Sequence, residues 1–164
     1  MTFPANPLQR LNGNNMFDAQ DEIFMQHALD LASHAATQDE VPVGAVLVHN
    51  SQIIGEGFNQ PISLCDPSAH AEIIALRDAG QKRKNYRLIE TALYVTLEPC
   101  LMCVGALIQA RVQRVIFGAF DEKTGGWQQI FPHIHKLNHT IQYTGGLLHD
   151  ACQTLLQDFF RVRR

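Results

Sequence analysis

The chain has 164 residues, 46% hydrophobic and 18% charged, with a formal net charge of −3. That length and balance fit one soluble globular domain with a substantial core, and no apolar run approaches the roughly 20 residues of a membrane span. The slight acidity excludes a protein coated in positive charge for nucleic acid, while leaving room for a local basic patch.

The opening stretch "MTFPANPLQRLNGNNM" lacks a basic segment followed by an apolar run, so it does not read as a signal peptide. Residues 1–17 read as a polar, partly disordered leader and residues 18–164 as the folded domain. Without an export signal, the four cysteines point to thiols or metal ligands in a reducing compartment, not to disulfides. From Asp18 to about Gln38, Phe24, Ala28, Leu31 and Ala35 recur at helical spacing. "VPVGAVLVHN" (Val41 to Asn50) is a β-rich run with proline near its start, and "QIIGEGFN" follows a short turn as its hairpin partner. "QPISLCDPSA" reads as loop, with Asp66 or Ser68 capping a helix from near His70 to about Ala79. A basic link, "QKRKNYR", leads to the strand "ALYVTL". Pro99 suits the first turn of a helix running from Cys100 to about Ala110. "VQRVIFGAF" is a fourth strand, a loop rich in Gly, Gln and His follows, and "TIQYT" is a short fifth strand. "GG" then precedes a terminal helix ending "DFFRVRR". Helices alternating with strands after an initial hairpin predict α/β layers around one central sheet.

Two motifs carry chemistry. "HAE" (His70, Ala71, Glu72) opens one predicted helix, and "PCLMC" (Pro99 to Cys103) opens another. Cysteines three apart project from one helix face, and a helix N-terminus favours the thiolate that ligates metal. Alone, Cys-x-x-Cys is equally a redox couple or half of a structural zinc site. With His70 added there are three protein ligands and an open fourth position, the arrangement of catalytic zinc. Zinc acidifies bound water to a pKa near ~7. Glu72, near that water but not on the metal, is placed to shuttle its proton. Cys65 is the nearest further thiol and reads as a small buried or solvent-touched side chain; Cys152 reads as core. His133, His135 and His139 read as an ordinary polar loop rather than a second metal cluster.

His-x-Glu followed by Pro-Cys-x-x-Cys is the known signature of zinc deaminases. With "EVPVGAVLVHN", "GEGFNQPI", "DPSAHAEIIALR", "NYRLIETALYVTLEPCLMCVGALI", "RVIFGAFDEKTG" and "DFFRVRR", the chain closely resembles the bacterial tRNA-specific adenosine deaminases of the cytidine-deaminase-like superfamily. The resemblance implies a three-layer α/β/α cytidine-deaminase-like fold with a central mixed five-stranded sheet, in a cytoplasmic homodimer. It implies zinc-dependent hydrolysis of adenosine to inosine at wobble position 34 of a tRNA anticodon stem-loop, with one zinc ion per chain. His70, Cys100 and Cys103 fall on the zinc ligands and Glu72 on the proton shuttle. Asn59 matches an asparagine that hydrogen-bonds the flipped-out base, Val41 an apolar residue packed against it, and Ala71 a backbone position beside the reacting centre. Asp121 matches a loop bordering the flanking nucleotides. Arg161, Arg163 and Arg164 match the RNA-contacting end, anchored by Phe159 and Phe160, and "KRK" with Arg87 offers a second basic cluster. After "DEKTG" the family commonly continues with small residues and a Ser-containing turn; here "GWQQIFPHIHKLNH" departs, and its Trp127 is expected in the core. The competing classes are a deaminase of free bases or nucleosides, of guanine or cytosine type, and a non-catalytic zinc or redox module, which has no need of Glu72.

Overall fold

The computed structural model describes residues 16–163, so most of the leader and Arg164 lie outside the described residues. Helix α1 (Ala19–Thr37) begins where Asp18 accepts from the Asp21 backbone N–H and Asp21 returns the bond, a reciprocal box that satisfies two otherwise orphan donors. Strands β1 (Gly44–His49) and β2 (Gln52–Phe58) form the predicted hairpin, and β3 (Ala92–Leu97) coincides with "ALYVTL". Strands β4 (Arg114–Ala119) and β5 (Gln142–Gly145) complete a five-stranded sheet in the order β2-β1-β3-β4-β5. β1 runs antiparallel to β2 and β3, whereas β3, β4 and β5 are mutually parallel, so the sheet is mixed as expected.

Alternation along the strands divides the core into two layers. Ala45, Leu47, Leu93, Val95, Val115 and Phe117 face one side, toward α3 (Ala71–Arg83) and α4 (Leu101–Gln109). Val46, Val48, Tyr94 and Ile116 face the other, toward α1 and the terminal helix α6 (His149–Val162). Helix α3 lies unusually close to β2. A Cβ at Gly57 would come within 2.2 Å of the Ala71 carbonyl oxygen, and one at Gly55 within 2.4 Å of that of Ala75. Glycine is required at both positions, and their close approach fixes where the first turn of α3 meets the end of β2.

Several local expectations are corrected. Residues 60–69 are not all loop: Pro61 starts a single-turn helix, α2 (Pro61–Leu64), consistent with its preset φ. Neither Asp66 nor Ser68 caps α3. Asp66 instead accepts from the backbone N–H and hydroxyl of Ser68, and His70 occupies the N-cap. Pro99 precedes the cap residue Cys100 rather than entering α4. Helix α3 continues to Arg83, into the expected basic link. The segment before β5 contains α5 (Gly126–Ile130) and a 3₁₀ stretch over Phe131–Lys136.

Candidate metal centre and base pocket

His70 and Cys100 occupy equivalent places. Each is the N-cap of its helix with extended backbone, and neither side chain caps its own helix. The position normally given to Ser, Thr, Asp or Asn is here held by a candidate metal ligand, and the two meet across the gap between α3 and α4. The Nδ1 of His70 lies 3.6 Å from the Sγ of both Cys100 and Cys103. One ligating atom from each residue lies within 4.8 Å of the other two, the one such grouping found among the described residues. Tetrahedral zinc with Zn–S near ~2.3 Å and Zn–N near ~2.0 Å sets nitrogen and sulfur about 3.6 Å apart. Both nitrogen–sulfur separations therefore match those of a zinc site.

Protons compete for these donors. Hydrogen bonds from Cys103 and His70 hold the Cys100 thiol down to about 4, and its contact with Cys100, followed by burial, pushes the Cys103 thiol up. The His70 imidazole is raised, first by hydrogen bonding to Cys100. A cation replaces that shared proton with a stronger positive centre. Glu72, in the first turn of α3, is buried, and burial pushes its carboxyl up to about 7.

Asn59 follows β2, and its Oδ1 accepts from the Ala71 N–H at 2.9 Å. It thus serves α3 as a cap from a neighbouring segment, where His70 leaves the orphan donor unmet. Val41 precedes β1, and Asn59 N–H donates to the Val43 carbonyl at 3.0 Å, so the Val41–Val43 and Asn59 segments adjoin. Asp121 follows β4 and accepts from the backbone N–H groups of Lys123 and Thr124 and from the Thr124 hydroxyl. These residues gather at the carboxyl ends of the parallel strands, where ligand sites of open α/β sheets form. A cleft of about 1000 Å³ at this end takes in Val41, Glu98, Asp121, Tyr143 and Phe160, but none of His70, Glu72, Cys100 and Cys103.

At the C-terminus Phe159 is buried and anchors α6, while Phe160 is half exposed on the cleft. Arg163 stacks over the Phe159 ring, 3.6 Å from its centroid, and pairs with Asp39; Arg161 pairs with Asp158. The cluster of Lys82, Arg83 and Lys84 sits at the far end of α3, roughly 20 Å from His70 at 1.5 Å per helical residue. Trp127 is buried, as expected, and stacks on Tyr143 with ring centroids 4.5 Å apart. Cys65 is exposed and Cys152 buried. His133 is exposed, His139 bonds the Val112 carbonyl, and the side chain of His135 lies outside the described residues.

Sequence reasoning missed two buried carboxylates. Glu40 accepts from the backbone N–H groups of Ile62 and Ser63, and Glu98 from that of Asp121. The available signal was an acidic residue directly before a site motif, in "EVP" and "LEPC", where a buried strand gives no reason for charge. The Gly125–Gly126 pair was also missed. Gly126 N–H donates to the Pro99 carbonyl at 2.8 Å, and Gly125 bridges to Cys100.

Comparison with known proteins agrees with this geometry. Residues 18–119 match the cytidine and deoxycytidylate deaminase zinc-binding region. A tRNA-specific adenosine deaminase of Haemophilus influenzae is 50% identical over 147 residues, 88% of this chain and 85% of that protein. A structure from a study of A-to-I editing by tRNA:A34 deaminases at the wobble position superposes with a TM-score of 0.79 and 38% identity, covering 82% of this chain and 99% of that one. Guanine deaminase from Nitrosomonas europaea superposes at 0.73 but is 25% identical, covering 96% and 93%. With the zinc-region match spanning all three ligands and Glu72, the chain belongs to the cytidine and deoxycytidylate deaminase family and, within it, to the tRNA-specific adenosine deaminases.

Proposed function

We propose that the protein is a zinc-dependent hydrolase that converts adenosine to inosine at position 34 of a tRNA anticodon stem-loop. The convergence of His70 Nδ1 with both sulfurs at 3.6 Å, at two helix N-termini beside buried Glu72, carries the chemistry. The 50% identity to the Haemophilus influenzae enzyme supports the substrate over the free-base alternative.

His70, Cys100 and Cys103 would hold the zinc ion, which when bound would supply water acidified toward a pKa of ~7. Glu72 takes one proton of the attacking water and gives it to the ring nitrogen next to the carbon under attack. It then takes the proton of the newly added hydroxyl and delivers it to the exocyclic amine, so that the C–N bond breaks, ammonia leaves and the carbon becomes a carbonyl. Burial suits this role, because it brings the carboxyl near neutrality and excludes competing water. Val41 packs against the adenine face and Asn59 hydrogen-bonds its edge. The backbone at Ala71 lies beside the reacting carbon, and Asp121 borders the flanking nucleotides. The target base already lies in a single-stranded loop, so extruding it costs less than flipping from a duplex. Arg161, Arg163 and Arg164 contact phosphates. Residues 18–164 form the catalytic domain behind a polar leader. The family resemblance supports a homodimer, which sedimentation tests. With a tRNA substrate, and no helix among the described residues long and apolar enough to cross a membrane, the cytoplasm is the place of action.

The test combines metal analysis with substrate choice. About one zinc per chain is expected, reduced by Cys103→Ala, and inosine should form in an adenosine-34 stem-loop. Turnover of free guanine, cytosine or adenosine without inosine in the stem-loop would assign the chain to the free-base class instead.

A further inference from the structure

The hairpin ladder between β1 and β2 ends at the pair Gly44 and Phe58, with Asn59 N–H bonding the Val43 carbonyl just beyond. Pro42 has no N–H to continue it. Past this point the two segments that carry Val41 and Asn59 would splay, and Glu40 stands where they do not. Its side chain is 1% exposed, and its Oε1 accepts from Ser63 N–H at 2.7 Å and its Oε2 from Ile62 N–H at 3.3 Å. Its own N–H donates to the Ala35 carbonyl at 3.1 Å, tying the clamp to the end of α1. Among the described residues no cationic side chain pairs with it. A buried carboxylate held by two backbone donors is costly to place, and that cost is offset only if both bonds are made. α2 meanwhile has no side-chain cap from its own cap residue, Gln60.

We infer that Glu40 is a positioning residue for deamination: by clamping the first turn of α2 it fixes the separation of Val41 and Asn59, and so the slot for the base. The inference rests on the base-binding reading of those two residues. Glu40 touches neither metal donors nor substrate. Its effect is on the angle and depth at which the base ring meets the reacting centre, where a displacement of about 1 Å can cost ~10²-fold in rate. Affinity for the stem-loop, dominated by phosphate contacts, is set elsewhere. Glu40 therefore separates turnover from binding.

The experiment compares wild type with Glu40→Ala, Glu40→Gln and Glu40→Asp for zinc content, backbone amide exchange at Ile62 and Ser63, and kcat and KM on the adenosine-34 stem-loop. Glu40→Ala should keep zinc, exchange both amides faster, and lose about 10- to 100-fold in kcat with KM changed less than about three-fold. Glu40→Gln keeps one acceptor and should fall between. Should Glu40→Ala not fold, the graded kcat of the Gln and Asp variants carries the same comparison. Wild-type kcat with accelerated exchange would overturn the inference, as would a loss of kcat that only tracks loss of zinc. If wild type makes no inosine, the tRNA reading fails by itself. The clamp is then measured on whichever free base or nucleoside wild type does turn over, because the slot geometry does not depend on the base's source.

Discussion

The proposed role of Glu72, a proton shuttle off the metal, would separate metal binding from chemistry at a single side chain. Glu72→Gln should retain zinc by elemental analysis and lose ~10²–10⁴-fold in turnover, the usual contribution of a positioned proton shuttle. Near wild-type deamination by a zinc-loaded variant would remove Glu72 from the mechanism. Asp21 is another buried carboxylate, with a structural role. It accepts from the Tyr94 hydroxyl at 2.6 Å and from both Arg114 nitrogens at 3.0 and 3.2 Å, joining α1 to β3 and β4. Burial pushes its carboxyl up, but the hydrogen bonds from Tyr94 and Arg114 outweigh burial and hold it below its ordinary value. The folded value being lower than the unfolded one near ~3.9, its stabilisation is full above that value and fades as pH falls through the folded one. Asp21→Asn should cost about 2 kcal/mol near neutrality. In urea titrations that deficit should narrow below about pH 4; a pH-independent deficit would mean the charge is not what matters.

Among the elements, the loop from Asp121 to Gly126 matters to the metal without contributing a ligand. Glu98 accepts from Asp121 N–H at 3.1 Å at one end of it, and Gly126 seats against the ligand loop at the other. A Cβ at Gly126 would lie 2.4 Å from both the Cys100 carbonyl carbon and the Leu101 nitrogen, so Gly126→Ala must push Cys100 aside. Such supporting contacts are typically worth 10–100-fold in metal affinity, and competition with a chelator should show about that loss. An unchanged affinity would mean the loop yields instead. The contrast between this loop and β3 explains what can be read from sequence. β3 is an apolar β-rich run bounded by polar residues, and both its ends are legible. α2 has four residues, too short for any periodicity, and α5 opens on the Gly125–Gly126 pair, whose helix propensity is poor. The helix starts near His70 and Cys100 are legible in position but not in cause: neither Asp66 nor Ser68 caps α3 and Pro99 lies before α4, because the candidate metal ligands themselves take the cap places. Glu40 and Glu98 escape because their partners are backbone N–H groups 22 and 23 residues away, which no residue-type pattern encodes.

For the whole molecule, charge and site lie on a common axis. The zinc donors, Val41, Asn59, Asp121 and the end of α6 share one end of the sheet, while Lys82 to Lys84 lie at the other. The proposed phosphate contacts, Arg161 and Arg163, lie at the same end as those donors. Arg161→Gln with Arg163→Gln should weaken stem-loop binding and flatten its dependence on salt, by roughly one unit of log–log slope for each phosphate left without its arginine. Wild-type slope in this double variant, measured by fluorescence anisotropy, would move the RNA to another face.

One of those arginines is already engaged. Arg163 holds the Asp39 carboxylate, which, on the proposed phosphate role of Arg163, a backbone oxygen would have to displace. Asp39 has positive φ and is largely exposed, and it directly precedes Glu40. If Arg163 contacts phosphate as proposed, Asp39 competes weakly with that contact, and its removal should tighten the complex. A surface pair of this kind is worth about 0.2–1 kcal/mol. Asp39→Asn should therefore lower the stem-loop Kd by about 1.4- to five-fold, mostly through slower dissociation. If departure of the inosine product limits the cycle, the same substitution should slow steady-state turnover while leaving the single-turnover rate intact.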